Sequence, residues 1–126
     1  MIFVDTSALV DALCGERRSA PGLRRFIERG ERLGLSAIVL YEWLRGPRTA
    51  VELEVQEDLF PVAQAVPFGA AEAIVAANLY RRMRSPRTRG MDLAVAAVAI
   101  ARDAALWTLN EADFRDIPGL TLARPE

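Results

Sequence analysis

Histidine and lysine are both absent from this sequence, cysteine occurs once, and each of its sixteen basic residues is arginine. Without imidazole there is no side chain whose ordinary titration falls near neutrality to act as a general base. Without lysine there is no Schiff-base amine and no phosphate-binding P-loop lysine. A single cysteine cannot form an internal disulfide, and Cys14 is read as a small buried hydrophobe rather than a redox group. The opening residues run straight into Asp5, with neither a basic leader nor an apolar stretch long enough to span a bilayer. A cytoplasmic protein without membrane contact is expected. The formal net charge of −1 gives no general attraction to nucleic acid, so any such attraction must come from how the charges are distributed.

What the sequence does contain is apolar residues, at 52% of 126 positions, enough for one domain over residues 1–126 with one core. Trp43, Trp107, Phe26, Phe60 and Phe68 are hard to hide together in so small a body, which predicts an apolar surface for a partner. Short β-compatible runs fall at 2–4, 33–36, 62–66, 105–109 and 120–122. Between them lie helical patterns through Leu9 to Leu13, through Leu23 to Ile27, over 37–44, over 51–60, through Ala71 to Met83 and over 92–101. Glu52, Glu54, Glu57 and Asp58 are read as a solvated helix face. The stretch 92–101 is apolar on every side, as a central helix should be. Strands alternating with helices predict an α/β fold, a three-layer α/β/α sandwich on a mostly parallel sheet.

Four acids punctuate this apolar chain. Asp5 ends the first strand, Glu42 sits among Ile38, Val39, Leu40, Tyr41, Trp43 and Leu44, Asp92 opens the central helix, and Asp113 follows the strand at 105–109. Ligands of open parallel sheets bind beyond the carboxyl ends of the strands, which is where this rule collects the acids. Two carboxylates about 4 Å apart repel by about 4 kcal/mol at an effective dielectric of 20, so a convergent set needs protons, arginines or a cation. A hard divalent ion, Mg²⁺ or Mn²⁺, fits all-oxygen donors. Helix capping is the structural alternative for Asp5, Asp92 and Asp113. Glu42 is mid-helix, and its structural alternative is a pair with Arg45.

Arg81, Arg82, Arg84, Arg87 and Arg89 form a run without an intervening acid, suited to phosphate contacts; cations at a helix C-terminus are the plain alternative.

Val4-Asp5-Thr6-Ser7, Glu42-Trp43-Leu44-Arg45-Gly46, Asp92-Leu93-Ala94-Val95-Ala96-Ala97 and Thr108-Leu109-Asn110-Glu111-Ala112-Asp113-Phe114 resemble the four signatures of PIN-domain nucleases. Their order and spacing are similar to those of the VapC-type ribonuclease toxins of toxin–antitoxin systems. The resemblance implies an Mg²⁺- or Mn²⁺-dependent endoribonuclease using activated water and leaving a 5′-phosphate and a 3′-hydroxyl. It implies Asp5, Glu42, Asp92 and Asp113 as catalytic, metal-binding acids, with Thr6 and Asn110 in supporting roles. It further implies RNA as substrate, a homodimer and a VapB-like antitoxin that covers the acidic pocket. Asn110 stands where many PIN nucleases carry an acid, which weakens a second ion site and leaves Asp116 as a substitute ligand. Val95 replaces the more usual isoleucine.

Four other readings compete. A phosphorelay receiver or a dehalogenase-like phosphatase needs a lysine this chain lacks. An inactive PIN scaffold that only binds, or an RNA-processing PIN nuclease without an antitoxin, would share the same fold.

Overall fold

A computed structural model describes residues 1–126. Four strands, β1 (Ile2–Val4), β2 (Leu33–Gly34), β3 (Ala105–Trp107) and β4 (Thr121–Leu122), form one sheet in the order β2-β1-β3-β4. Every pairing in it is parallel. Six helices connect the strands: α1 (Thr6–Leu13), α2 (Ala20–Glu28), α3 (Ala37–Arg45), α4 (Ala50–Leu59), α5 (Ala70–Arg82) and α6 (Gly90–Ala101). Successive residues of a strand face opposite sides, yet Ile2, Phe3 and Val4 are all buried. A layer of helices must therefore cover each face, which is the predicted three-layer arrangement.

The central pair of strands positions everything that follows. β1 and β3 are in register with Val4 opposite Trp107, and the Asp5 amide donates to the Trp107 carbonyl at 2.8 Å. Asp5 and Thr108 therefore leave the sheet side by side. α6 buries Leu93 and the whole run Val95 to Ala99, and its alanines let α5 pack closely along it. α3 begins at Ser36, whose hydroxyl accepts from the Val39 amide at 3.1 Å, as a Ser cap should.

Several sequence expectations are corrected. The predicted strand at 62–66 is a 3₁₀ turn, Val62–Gln64, and only Val66 pairs, through an isolated parallel bridge to Ser36 outside the four strands. Pro61 and Pro67 flank this segment; proline fixes φ and cannot donate to a ladder, which leaves room for a turn rather than a strand. The strand predicted to Leu109 stops at Trp107, because the Leu109 amide donates to the Ser7 hydroxyl instead of to a neighbouring strand. Glu52 is not merely solvated: it closes a capping box with Thr49, with bonds of 2.8 and 3.1 Å, at the start of α4. Cys14 is half-buried rather than buried.

The aromatic surplus is also smaller than expected. Trp43, Trp107, Phe26 and Phe60 are all in the core, Phe26 and Trp107 edge to face at 5.2 Å, and only Phe68 is exposed. Most of the exposed apolar residues are instead on helices, among them Tyr41 and Leu44 on α3 and Ile74 and Tyr80 on α5. No helix is long and apolar enough to cross a membrane.

Candidate active site

Asp5 is 6% exposed and occupies the N-cap position of α1, but its carboxylate caps nothing. Oδ2 instead accepts from the hydroxyls of Ser7 at 3.0 Å and Thr108 at 2.7 Å. Each hydroxyl has one proton, and each spends it on Asp5; the 3.3 Å approach of Ser7 to Thr108 is then a contact between two oxygens already committed. Their lone pairs are used as well, accepting from the backbone amides of Leu109 and Asn110 at 3.0 Å. Such a network fixes the rotamers of all three side chains. Asp5 Oδ1 takes no part in it, and since no buried side-chain polar atom of the protein lacks a partner, this oxygen reaches solvent.

Glu42 lies mid-way along α3, with about one-fifth of its side chain exposed. Thr6, the first residue of α1, donates its hydroxyl to Glu42 Oε1 at 2.7 Å. The pair with Arg45 expected from the i,i+3 spacing is also present, at 3.7 Å through the other oxygen. The hydroxyl is the closer partner, and Arg45 leans over the Tyr41 ring at 5.1 Å.

Asp92 stands in the first turn of α6 without a capping bond, where the helix dipole favours its charge. Its carboxyl is nonetheless pushed up from the ordinary aspartate value, first by burial, then by the negative charges of Asp5 and Asp113, with Glu42 adding to them and Arg89 opposing. Asp113 closes the 3₁₀ turn Glu111–Asp113 and is exposed, as is Asn110 at the start of that turn, whose side chain caps nothing. All three acids for which capping was the alternative explanation thus lack a capping bond.

The four acids named from sequence share one electrostatic neighbourhood, although no three acidic side chains are arranged so as to grip an ion as they stand. The two observations concern different ranges. Charges act on one another across a Debye length of roughly 8 to 10 Å, whereas an oxygen–magnesium contact is about 2 Å. Like charges facing one another also hold apart, and Asp92 registers that repulsion. The donors are hard oxygens with neither imidazole nor thiolate among them, so the set fits Mg²⁺ or Mn²⁺ in chemistry. An open cleft of about 550 Å³ is lined by Thr108, Asn110, Asp113 and Arg115, so that of the four acids Asp113 borders it. A separate cavity of about 440 Å³, between Leu33 to Leu35 and Phe60 to Val66, contains no carboxylate.

Arg81, Arg82, Arg84 and Arg87 are exposed, at the end of α5, in the link after it and in the short 3₁₀ turn Pro86–Thr88 that follows. Arg81 bonds the Asn78 side chain on its own helix. Arg89 differs from the other four. Its guanidinium is engaged with Asp116 at 2.7 and 2.8 Å and with the Asp113 carbonyl at 2.6 Å, and only 19% of its side chain is exposed. Asp116, considered from sequence as a substitute ligand, is the carboxylate Arg89 holds, and that pairing keeps its pKa below the ordinary value.

Sequence reasoning missed Ser7 and Thr108 as the residues that hold Asp5. A signal was present: a hydroxyl two residues after the first acid, and another directly after the strand that pairs with β1. Reading it required knowing that β1 and β3 are neighbours.

The PIN-domain family model matches residues 2–120. Ribonuclease VapC19 of Mycobacterium tuberculosis is 36% identical over 123 residues, covering 95% of this chain and 97% of that protein. Among solved structures, VapBC2 from Rickettsia felis, bound to a DNA fragment from their promoter, aligns with a TM-score of 0.75 at 23% identity, covering 98% of each chain. A toxin–antitoxin complex from Klebsiella pneumoniae aligns with a TM-score of 0.70 at 22% identity, covering 100% of this chain and 98% of that one. At those identities the structures speak for the fold, while the sequence kinship speaks for descent. Both extend over nearly the full length, and the chain belongs to the PIN-domain family.

Proposed function

We propose that this chain is an endoribonuclease that depends on a divalent metal and serves as the toxin of a VapBC-like toxin–antitoxin pair. The observation that carries this reading is the treatment of Asp5: a nearly buried carboxylate, fixed through one oxygen by two hydroxyls and open through the other, in a group of acids where burial, and after it the neighbouring negative charges, raises the pKa of Asp92. A carboxyl perturbed by burial and by neighbouring charges, within a group of acids, is a functional signature. The kinship with a protein named a ribonuclease supports the substrate class.

Asp5, Glu42, Asp92 and Asp113 would hold Mg²⁺ or Mn²⁺. A bound ion of this kind lowers the pKa of water and offsets negative charge on a displaced oxygen. The protein's own residues prepare the site for it. Ser7 and Thr108 fix the aim of Asp5, and Thr6 fixes that of Glu42, so these carboxylates need little reorganisation on binding. Cleavage through the RNA's own 2′-hydroxyl normally uses imidazole acids and bases, which this sequence lacks; hydrolysis leaving a 5′-phosphate and a 3′-hydroxyl is the expected outcome. Arg81, Arg82, Arg84 and Arg87 are exposed and placed to contact phosphates of a single-stranded segment.

The exposed apolar residues of α3 and α5 suit a homodimer interface or an antitoxin, and the Klebsiella pneumoniae complex supports a partner of the latter kind. The protein is expected to work in the cytoplasm. The deciding experiment is cleavage of a structured RNA pool by the purified chain in Mg²⁺, Mn²⁺ or EDTA, alongside Asp5→Ala, with the ends mapped. Metal-dependent cuts bearing 5′-phosphates and absent from the variant are expected. A folded wild-type chain that binds Mn²⁺ but cuts no RNA in the presence of either metal would sink the reading and leave a scaffold.

A further inference from the structure

We infer that Arg89 is a positioning residue that clamps the segment carrying Asp113 to the helix carrying Asp92, rather than one of the arginines that contact RNA. This rests on the ribonuclease reading above. The geometry is a fork: Nη1 and Nη2 each bond one oxygen of Asp116, at 2.8 and 2.7 Å, and Nη2 also donates to the Asp113 carbonyl at 2.6 Å. Bidentate pairs of this kind fix orientation as well as proximity. Arg89 is the residue from which α6 starts, three positions before Asp92, and its partners lie 24 and 27 residues further along the chain. One side chain therefore joins two segments whose acids must face each other.

Local physics does not account for an arginine here. It occupies an N-cap position without making a capping bond, and its charge sits at the positive end of the helix dipole, where an acid or a hydroxyl is favoured. A residue that breaks the local rule and finds its partners only in the tertiary structure is the kind of exception that functional sites contain. Asp113 itself is exposed; the segment's other ties are the buried Phe114 and Ile117 and, at the start of the turn, the bond from Arg124 to Glu111, which does not reach the helix that carries Asp92. Arg89 is also the one cation whose field opposes the acids at Asp92, so the same clamp moderates the repulsion in the cluster. Its commitment to Asp116 leaves it little capacity for a phosphate, in contrast to the exposed Arg81, Arg82, Arg84 and Arg87.

The test uses Arg89→Lys, which keeps the charge but cannot form the fork, and Asp116→Ala, which removes the fork's acceptor without altering any of the four acids. Asp116 is half-exposed, so the second variant keeps the test open even if the first folds poorly. Three readouts are needed: the melting temperature, Mn²⁺ binding by calorimetry without RNA, and kcat and KM on a hairpin chosen from the cuts mapped in the RNA pool. The expectation is Mn²⁺ affinity and kcat both lower by about tenfold in each variant, as for loss of an outer-shell partner, with KM within twofold and a small change in melting temperature. Unchanged Mn²⁺ affinity and kcat in both variants would overturn the inference. So would a rise in KM alone, which would return Arg89 to the RNA contacts. A wild-type chain that neither binds Mn²⁺ nor cleaves would instead remove the ribonuclease reading underneath, and the calorimetry tells the two failures apart.

Discussion

Replacing Thr108 with valine tests whether the hydroxyl pair holds Asp5 by charge. Thr108 is 3% exposed and donates at 2.7 Å to a carboxylate that is itself 6% exposed, so water cannot readily replace the lost donor. A hydrogen bond to a charged group contributes about 1.5 to 3 kcal/mol, against about 1 kcal/mol for a neutral one. The Asn110 amide also loses its acceptor, but Asn110 is exposed and water can serve it. Ser7 still donates to Asp5, so the carboxylate is weakened rather than abandoned. The expected cost of Thr108→Val is about 2 kcal/mol, or roughly 6 to 10 °C in melting temperature for a chain of this size. The same change in an Asp5→Asn background should cost only about 1 kcal/mol, because the acceptor is then neutral. A double-mutant cycle by urea denaturation at pH 7 should therefore give a coupling of about 1 kcal/mol. Equal costs in the two backgrounds would show that Thr108 matters through packing, and the account of Asp5 as a charge held by hydroxyls would fail.

Asp92→Asn should stabilise the fold while abolishing cleavage. The folded state raises the carboxyl's pKa above its unfolded value, so the contribution of Asp92 is fullest below the unfolded pKa and is lost as pH rises through the folded one. The variant's advantage in urea should accordingly be present at pH 7 and shrink towards zero near pH 3; an advantage that persists undiminished in acid would mean that the buried charge and its repulsion are not its source. Thr6→Val removes the 2.7 Å donor to Glu42 and leaves Arg45 as its partner. Cleavage should fall about tenfold with a stability change under about 1 kcal/mol, and full activity in this variant would show that Thr6 does not aim Glu42.

The sequence by itself determined the alternation of strands and helices, the central apolar helix at Asp92 to Ala101 and the candidate acids Asp5, Glu42, Asp92 and Asp113. Those features depend on side-chain periodicity and on turn residues, both of which are local. It misread 62–66, where apolar alternation pointed to a strand and the two flanking prolines allowed only a turn and one bridge. It could not set Arg89 apart from its neighbours, because a run of arginines looks uniform until one of them finds a carboxylate 27 residues away. Tertiary structure alone decided which acid was held and by what. Thr108 is 103 residues from Asp5 and Thr6 is 36 from Glu42, separations over which sequence pattern carries no distance. They meet because β1 pairs with β3 in register and α1 packs against α3, and a hydrogen bond acts over about 3 Å of space whatever the length of chain between its partners.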